Sequence, residues 1–245
     1  MSETLRWWSK LLTSLAILSV AILFLGPLGY KSGILPLEPS LLSLIVSLGL
    51  AVICLLVSII MVGVSVKAGL TRNRNMITMA LVISLVPVLL VGVQLKKATS
   101  VPQIHDISTD TSNPPQFQKI VQLRKNAKNG LEYELEGSAD KLAQAQKMAY
   151  PMIKTFNSGL SVAEALDRSE WVLLELGLEI VNKDQETGIV EATDTTFWYG
   201  FKDDVVIRIR SKGDGSIIDL RSVSRVGVSD VGVNAARILK FVDAF

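Results

Sequence analysis

Three long apolar runs fill the first hundred positions, and strict alternation takes over near the C-terminus. Residues 11–28, 41–66 and 76–95 contain no charged side chain. A helix needs roughly 20 apolar residues to cross a hydrocarbon core about 30 Å thick. Each run therefore predicts a transmembrane helix. Pro87 falls inside the third and predicts a kink, which membrane helices tolerate. Trp7, Trp8 and Tyr30 flank the first, where amphipathic rings prefer the interface. That run reads as an uncleaved helix rather than a signal peptide, because Leu25-Gly26-Pro27-Leu28-Gly29 is a poor cleavage site. Ser43, Ser47 and Ala51 form a small-residue stripe at spacing four, the pattern of close helix packing.

The pattern changes at about residue 98. Residues 98–130 are rich in Ser, Thr, Asp, Asn and Pro, and Asn113-Pro114-Pro115 breaks any regular element. This stretch reads as a linker or extended segment between a membrane anchor (1–97) and a water-soluble domain (131–245). Within the domain a helix is expected near 138–149, followed by an extended segment at 150–156. Ser161-Val162-Ala163-Glu164 is a capping box. Ala165, Leu166, Ser169, Val172, Leu173 and Leu176 then recur on one helical face. Gly177 suits the C-terminal cap. Residues 178–183, 188–200, 204–210 and 216–226 carry strand signals. A last helix begins after 229–234, with Ile238, Phe241, Val242 and Phe245 on its apolar face.

The expected order is β-α-β-β-β-β-α. That is an α+β two-layer sandwich, an antiparallel sheet with helices on one face. The turn at 212–215 fixes a register. It sets Ile209 opposite Ile218, Ile207 opposite Leu220 and Arg208 opposite Asp219, so that apolar side chains meet apolar ones. The other face then carries Arg208, Arg210, Arg221 and Arg225.

Charge divides the chain in the same place. Residues 1–97 hold 8 basic and 2 acidic residues, and the remainder holds 17 and 21. The basic excess lies where helices meet lipid, so it argues for a bilayer partner and against nucleic acid. Arg6, Lys10, Lys67, Arg72 and Arg74 fall on one side of the three spans. Lys31, Lys96 and Lys97 fall on the other, and the last two can snorkel. The positive-inside rule then places the N-terminus in the cytoplasm and the domain outside it. The expected setting is a bacterial inner membrane. No Asp, Glu, Lys, Arg or His lies within a span, so the spans lack the ionisable groups that mark transport paths.

Two clusters carry possible chemistry. His105 is the single histidine, with Asp106 and Asp110 nearby, a set that could serve as a metal site or as a general base oriented by a carboxylate. The alternative is a loop whose side chains tie down its own backbone. Arg208, Arg210, Arg221 and Arg225 could grip a phosphate or carboxylate bidentately. Their alternative is pairing with Asp219, Asp203 and Asp204. If residues 98–130 pack across the arginine face, Asp106 and Asp110 meet the arginines, and the two clusters become one clamp or pocket. The lone Cys54 permits neither an intrachain disulfide nor a thiolate metal cluster. No G-x-S-x-G elbow exists for a serine nucleophile. Residues 227–232 lack a P-loop's lysine and spacing, and read as a capped strand-to-helix turn. No cofactor is implied.

Several blocks resemble a known family. They are Ile104-His105-Asp106-Ile107-Ser108-Thr109-Asp110, Asn113-Pro114-Pro115, Glu191-Ala192-Thr193 and Asp203-Asp204-Val205-Val206-Ile207-Arg208. Asp219-Leu220-Arg221-Ser222-Val223-Ser224-Arg225-Val226-Gly227, Ser229-Asp230 and Asn234-Ala235-Ala236-Arg237 complete the set. From about residue 101 onward the chain resembles the bacterial and chloroplast family catalogued as domain of unknown function number 1499. The resemblance implies a shared fold and supplies no activity. The functional expectation is a non-enzymatic envelope protein whose extracytoplasmic domain binds a partner protein or an anionic ligand. The competing expectation is an enzyme acting on a phosphorylated or carboxylated substrate through His105, Asp106, Asp110 and the arginines.

Overall fold

The computed structural model describes residues 4–245. The chain forms two compact units, Met1–Lys96 and Lys97–Phe245.

The first unit consists of helices α1 (Trp7–Lys31), α2 (Leu37–Lys67) and α3 (Thr71–Ser100). All three are long and apolar enough to cross a membrane. Small and hydroxylated residues turn inward. Ser40, Ser47, Ala51, Cys54, Ser58 and Ser65 form the buried stripe of α2, an extension of the stripe the spacing predicts. Without bulky side chains the backbones approach closely enough for interhelical hydrogen bonds. Ser47 donates to the Ser19 carbonyl at 2.7 Å, and Ser40 to the Gly26 carbonyl at 2.8 Å. Asn73, fully buried, accepts from the Arg6 backbone N–H and the Ser9 hydroxyl. Leucine and isoleucine side chains such as Leu25, Ile45, Ile60 and Leu89 face outward. That is the inverse of a water-soluble bundle.

The second unit holds β1 (Asp106–Ser108), α4 (Ile120–Leu123), α5 (Ala139–Ala149), β2 (Phe156–Ser158), α6 (Val162–Glu175), β3 (Glu179–Asp184), β4 (Ile189–Thr195), β5 (Lys202–Lys212), β6 (Gly215–Ser224) and α7 (Val233–Ala244). The strands form one antiparallel sheet in the order β1-β6-β5-β4-β3, with β2 also paired to β6. From β2 onward the order is the expected β-α-β-β-β-β-α. The register of β5 on β6 is also the expected one, with Arg208 opposite Asp219, Ile207 opposite Leu220 and Ile209 opposite Ile218.

One sheet face is covered by α5, α6 and α7. Val205, Ile207, Ile209, Ile218 and Leu220 meet Leu142, Leu166, Leu173, Ile238 and Phe241 there in one buried cluster. The α6 capping box is present, with Ser161 and Glu164 bonded reciprocally. Gly177 adopts φ +84° just past the helix, the left-handed conformation that ends it without a Cβ clash.

The opposite face is not open. The stretch from Asp106 to Leu131 lies across it. Phe117 and Ile120 pack there on Ile189, Val206 and Val223. The stretch expected to be irregular linker thus contributes an edge strand and a roof. The reason lies in its polar groups, which find partners on the sheet rather than in water.

Candidate functional site

The arginine face is a set of ion pairs between the sheet and its roof. Asp106 on β1 stands beside Val223 on β6, which puts its carboxylate next to Arg221. The contact is bidentate. Arg221 Nε donates to Asp106 Oδ1 at 3.0 Å and Nη2 to Oδ2 at 2.7 Å. Arg221 is 0% exposed. Its remaining donors reach the carbonyls of Pro115 and Leu131. The rings of Phe117 and Tyr133 each lie 5.6 Å from the guanidinium carbon. Burial pushes the Asp106 carboxyl upward, against the pull of Arg221. Burial likewise raises the Tyr133 phenol.

Toward the β5–β6 turn, Asp219 is fully buried and gathers three donors. Arg208 reaches its Oδ2 at 2.8 Å and Arg210 at 2.6 Å, and the Thr155 hydroxyl bonds Oδ1. Arg208 also donates to Asp110 at 3.0 Å and to the Asn113 carbonyl at 2.9 Å. The roof is therefore held here as well. Arg210 is the most exposed of the four, with 45% of its side chain accessible.

Toward the other end of the strands, Asp204 takes Arg225 bidentately, with both contacts at 2.8 Å. It also accepts from Arg124 and the Thr193 hydroxyl. Arg124, on the roof, donates to the carbonyls of Asn129 and Gly130. Glu191, on β4, accepts from the backbone N–H groups of Gln118 and Lys119 at 2.6 and 2.8 Å. A buried carboxylate thus satisfies amides at the start of α4, which that short helix cannot satisfy itself.

The structure brings Asp106 to Arg221 and Asp110 to Arg208 as a clamp, while Arg210 pairs with Asp219 and Arg225 with Asp204. It leaves His105 aside. The His105 carbonyl accepts from Ser224 N–H and from the Asn234 side chain. Its imidazole enters none of the hydrogen bonds or ion pairs found among the described residues. Among the described residues no group of three or more His, Cys, Asp or Glu could hold a metal ion. At residues 227–232 the Asp230 carboxylate itself caps the start of α7, accepting from Gly232 and Asn234 N–H. An external anion would find those donors already taken.

Sequence reasoning missed a second polar network, on the helix-covered face. Arg237 of α7 bonds Asp203 at 2.8 Å and Asp194 at 2.6 Å, and also Asn234 and Ser222. Burial pulls the Arg237 pKa down, but Asp203 and Asp194 outweigh it and hold it above the ordinary value. A signal was present: Asp203 and Asp204 are adjacent in a strand, so one of them must face the helices. Asn234 and Arg237, three apart on α7, share a helical face.

A shallow cleft of about 260 Å³ lies beside the clamp, lined by Thr109, Thr111, Lys147, Tyr150, Pro151, Ile153 and Lys154. Two of its lining residues are lysines, and none is Asp or Glu. The Tyr150 hydroxyl, shut off from solvent, has no hydrogen-bond partner. Thr155, next to Lys154, bonds Asp219, so the cleft wall joins the network of Arg208 and Arg210. Lys147 and Lys154 carried no distinguishing sequence pattern; the Thr109 carbonyl takes the N–H of Thr155, next to Lys154, at this wall.

Three apolar helices followed by a roofed antiparallel sheet with a two-layer α+β core define a membrane protein with a polar C-terminal domain. The family described as protein of unknown function (DUF1499) matches residues 106–245. The chain belongs to that family. No curated protein and no solved structure matches it.

Proposed function

We propose that this is a membrane-anchored binding protein of the cell envelope, whose extracytoplasmic domain holds an anionic group in the cleft of Lys147 and Lys154. The observation that carries the reading is the lining: Lys147 and Lys154 stand there with Thr111, and no acidic residue joins them. Two lysines at one concavity without an acidic lining residue suit a carboxylate or phosphate. The neighbouring arginines support the reading indirectly. Each is committed to a carboxylate of the protein itself, so they stiffen the wall and are not the first contacts. Turnover is disfavoured because no carboxylate hydrogen-bonds the lone imidazole among the described residues, and Asp106 nearby is committed to Arg221.

The anionic group can reside on a free small molecule or on an acidic segment of an envelope protein. The full chain in detergent micelles, titrated calorimetrically with inorganic phosphate and with succinate, tests the free-ligand arm. Native-membrane crosslinking from a photoreactive side chain placed at Met152, exposed beside the cleft, tests the protein arm. Saturable binding or a discrete crosslink that is lost in Lys147→Gln/Lys154→Gln supports the proposal. Neither signal in the parent chain, or both unchanged in the variant, rejects it. The outward orientation rests on the charge count across the spans, five basic residues against three.

A further inference from the structure

The end of the sheet where the chain enters the domain also carries two exposed aromatic residues, one of them the most exposed in the domain. Ser224 N–H donates to the His105 carbonyl at 3.0 Å, and Ser224 pairs with Asp203 on β5. Thr195 pairs with Lys202 at the same end, so the β4–β5 loop, residues 196–201, projects there. Its sequence is Thr-Phe-Trp-Tyr-Gly-Phe. Phe197 is 77% exposed and Trp198 48%. The loop is braced from within. Thr196 and Phe201 exchange hydrogen bonds through backbone and hydroxyl, and Tyr199 stacks on Phe201 at 4.6 Å. Phe197 and Trp198 meet edge to face at 5.4 Å. Ordering such rings on a surface therefore costs little further entropy.

Next to this loop, Val228 is 75% exposed. Its loop is tied to the roof, because Asn129 N–H donates to the Arg225 carbonyl and the Asn129 side chain to Gly227. Lys125, Lys128 and Lys202 are exposed at this end. The nearby acidic groups Asp203, Asp204 and Asp230 are buried and bonded. Exposed Glu175 and Glu179 lie to the outer side, by β3. The surface is thus aromatic at its tip and basic around it.

The chain leaves α3 at Ser100, and Ile104 is already in the domain core with 1% exposure. Four residues reach at most about 14 Å. A tether that short limits how far Ile104 can stray from the end of α3. Trp, Tyr and Phe favour the headgroup layer, and lysines favour an anionic leaflet.

We infer that this end of the domain rests on the bilayer, with Phe197 and Trp198 in the headgroup layer of an anionic leaflet. The surface is a peripheral membrane-docking site separate from the lysine cleft, and it stands whether or not that cleft binds an anion.

The test uses the full chain carrying Trp7→Phe, Trp8→Phe and Trp171→Phe, so that Trp198 alone emits. The chain is reconstituted in phosphatidylglycerol-containing vesicles, and near-ultraviolet circular dichroism checks that the fold is retained. Lipids brominated near the headgroup should quench about half of the Trp198 emission. Lys125→Gln/Lys128→Gln/Lys202→Gln should reduce that quenching at least about twofold. Emission at the water-exposed wavelength with no bromolipid quenching overturns the inference. So does unquenched burial that grows with protein-to-lipid ratio, which would assign the aromatic tip to a second copy.

Discussion

Arg221 and Asp106, 115 positions apart in sequence, form a bidentate ion pair with no solvent access to the guanidinium. The pair joins the central strand β6 to the edge strand β1 and anchors the roof through Pro115 and Leu131. Removing one partner of such a buried pair leaves an uncompensated charge, which costs about 3–5 kcal/mol. Arg221→Met and Asp106→Asn should each lower domain stability by about that amount in urea unfolding of the detergent-solubilised chain. Arg221→Met/Asp106→Leu should recover much of the loss, since no charge is left unpaired. A double variant as unstable as the sum of the singles would show the pair to be uncoupled.

Glu191 makes a separate prediction about the roof. Its carboxylate holds the amides of Gln118 and Lys119, and charge-assisted bonds of this kind are worth about 1.5–3 kcal/mol each. Glu191→Ala should release the segment locally before the sheet unfolds. Trypsin should then cut at Lys125 or Lys128 at least about tenfold faster than in the parent chain, with the strands still protected. Equal cleavage rates would mean that Phe117 and Ile120 hold the roof without it.

The α6 capping box gives a pH dependence with a definite sign. The Ser161 side chain and backbone lower the Glu164 pKa below its ordinary 4.5. A depressed carboxyl contributes stability above the unfolded-state value and loses it as pH falls through the folded one. That contribution should therefore be full at neutral pH, begin to fall near pH 4.5 and be lost as pH drops through the lower folded midpoint. Carboxyl-carbon NMR should find the Glu164 midpoint below the ordinary value. Ser161→Ala should move it back up and cost about 1 kcal/mol of stability through the lost cap. An unmoved midpoint would contradict the reciprocal bond.

The orientation across the membrane has its own measurement. Protease added to cells whose outer membrane has been opened should remove the domain that follows α3 and leave the three spans. Full protection of the domain would reverse the topology.

The hairpin register was legible in the sequence because alternation and a short Gly-Asp-Gly turn act together. A slip of one residue would expose Ile207, Ile209, Ile218 and Leu220 at once. The membrane helices were legible from length alone. The strand β1 was not, because three residues in a polar, proline-rich stretch carry no periodic signal. Its place depends on Arg221, distant in sequence. The arginines were found, but the roof over them entered only as a condition: alternation says which side chains share a face and is silent on what covers it. Arg237 escaped for a related reason. A charged residue on a C-terminal helix reads as a solvated position unless its partners, Asp194 and Asp203, are known to face the helices.

The central claim is that the Lys147 and Lys154 cleft binds an anionic group. Native mass spectrometry of the full chain, extracted gently from its own membranes, tests it most directly. The account predicts an acidic small molecule or an acidic protein partner bound to the parent chain, and its loss from Lys147→Gln/Lys154→Gln with the fold intact. The same bound species on both chains, or none on either, would contradict it.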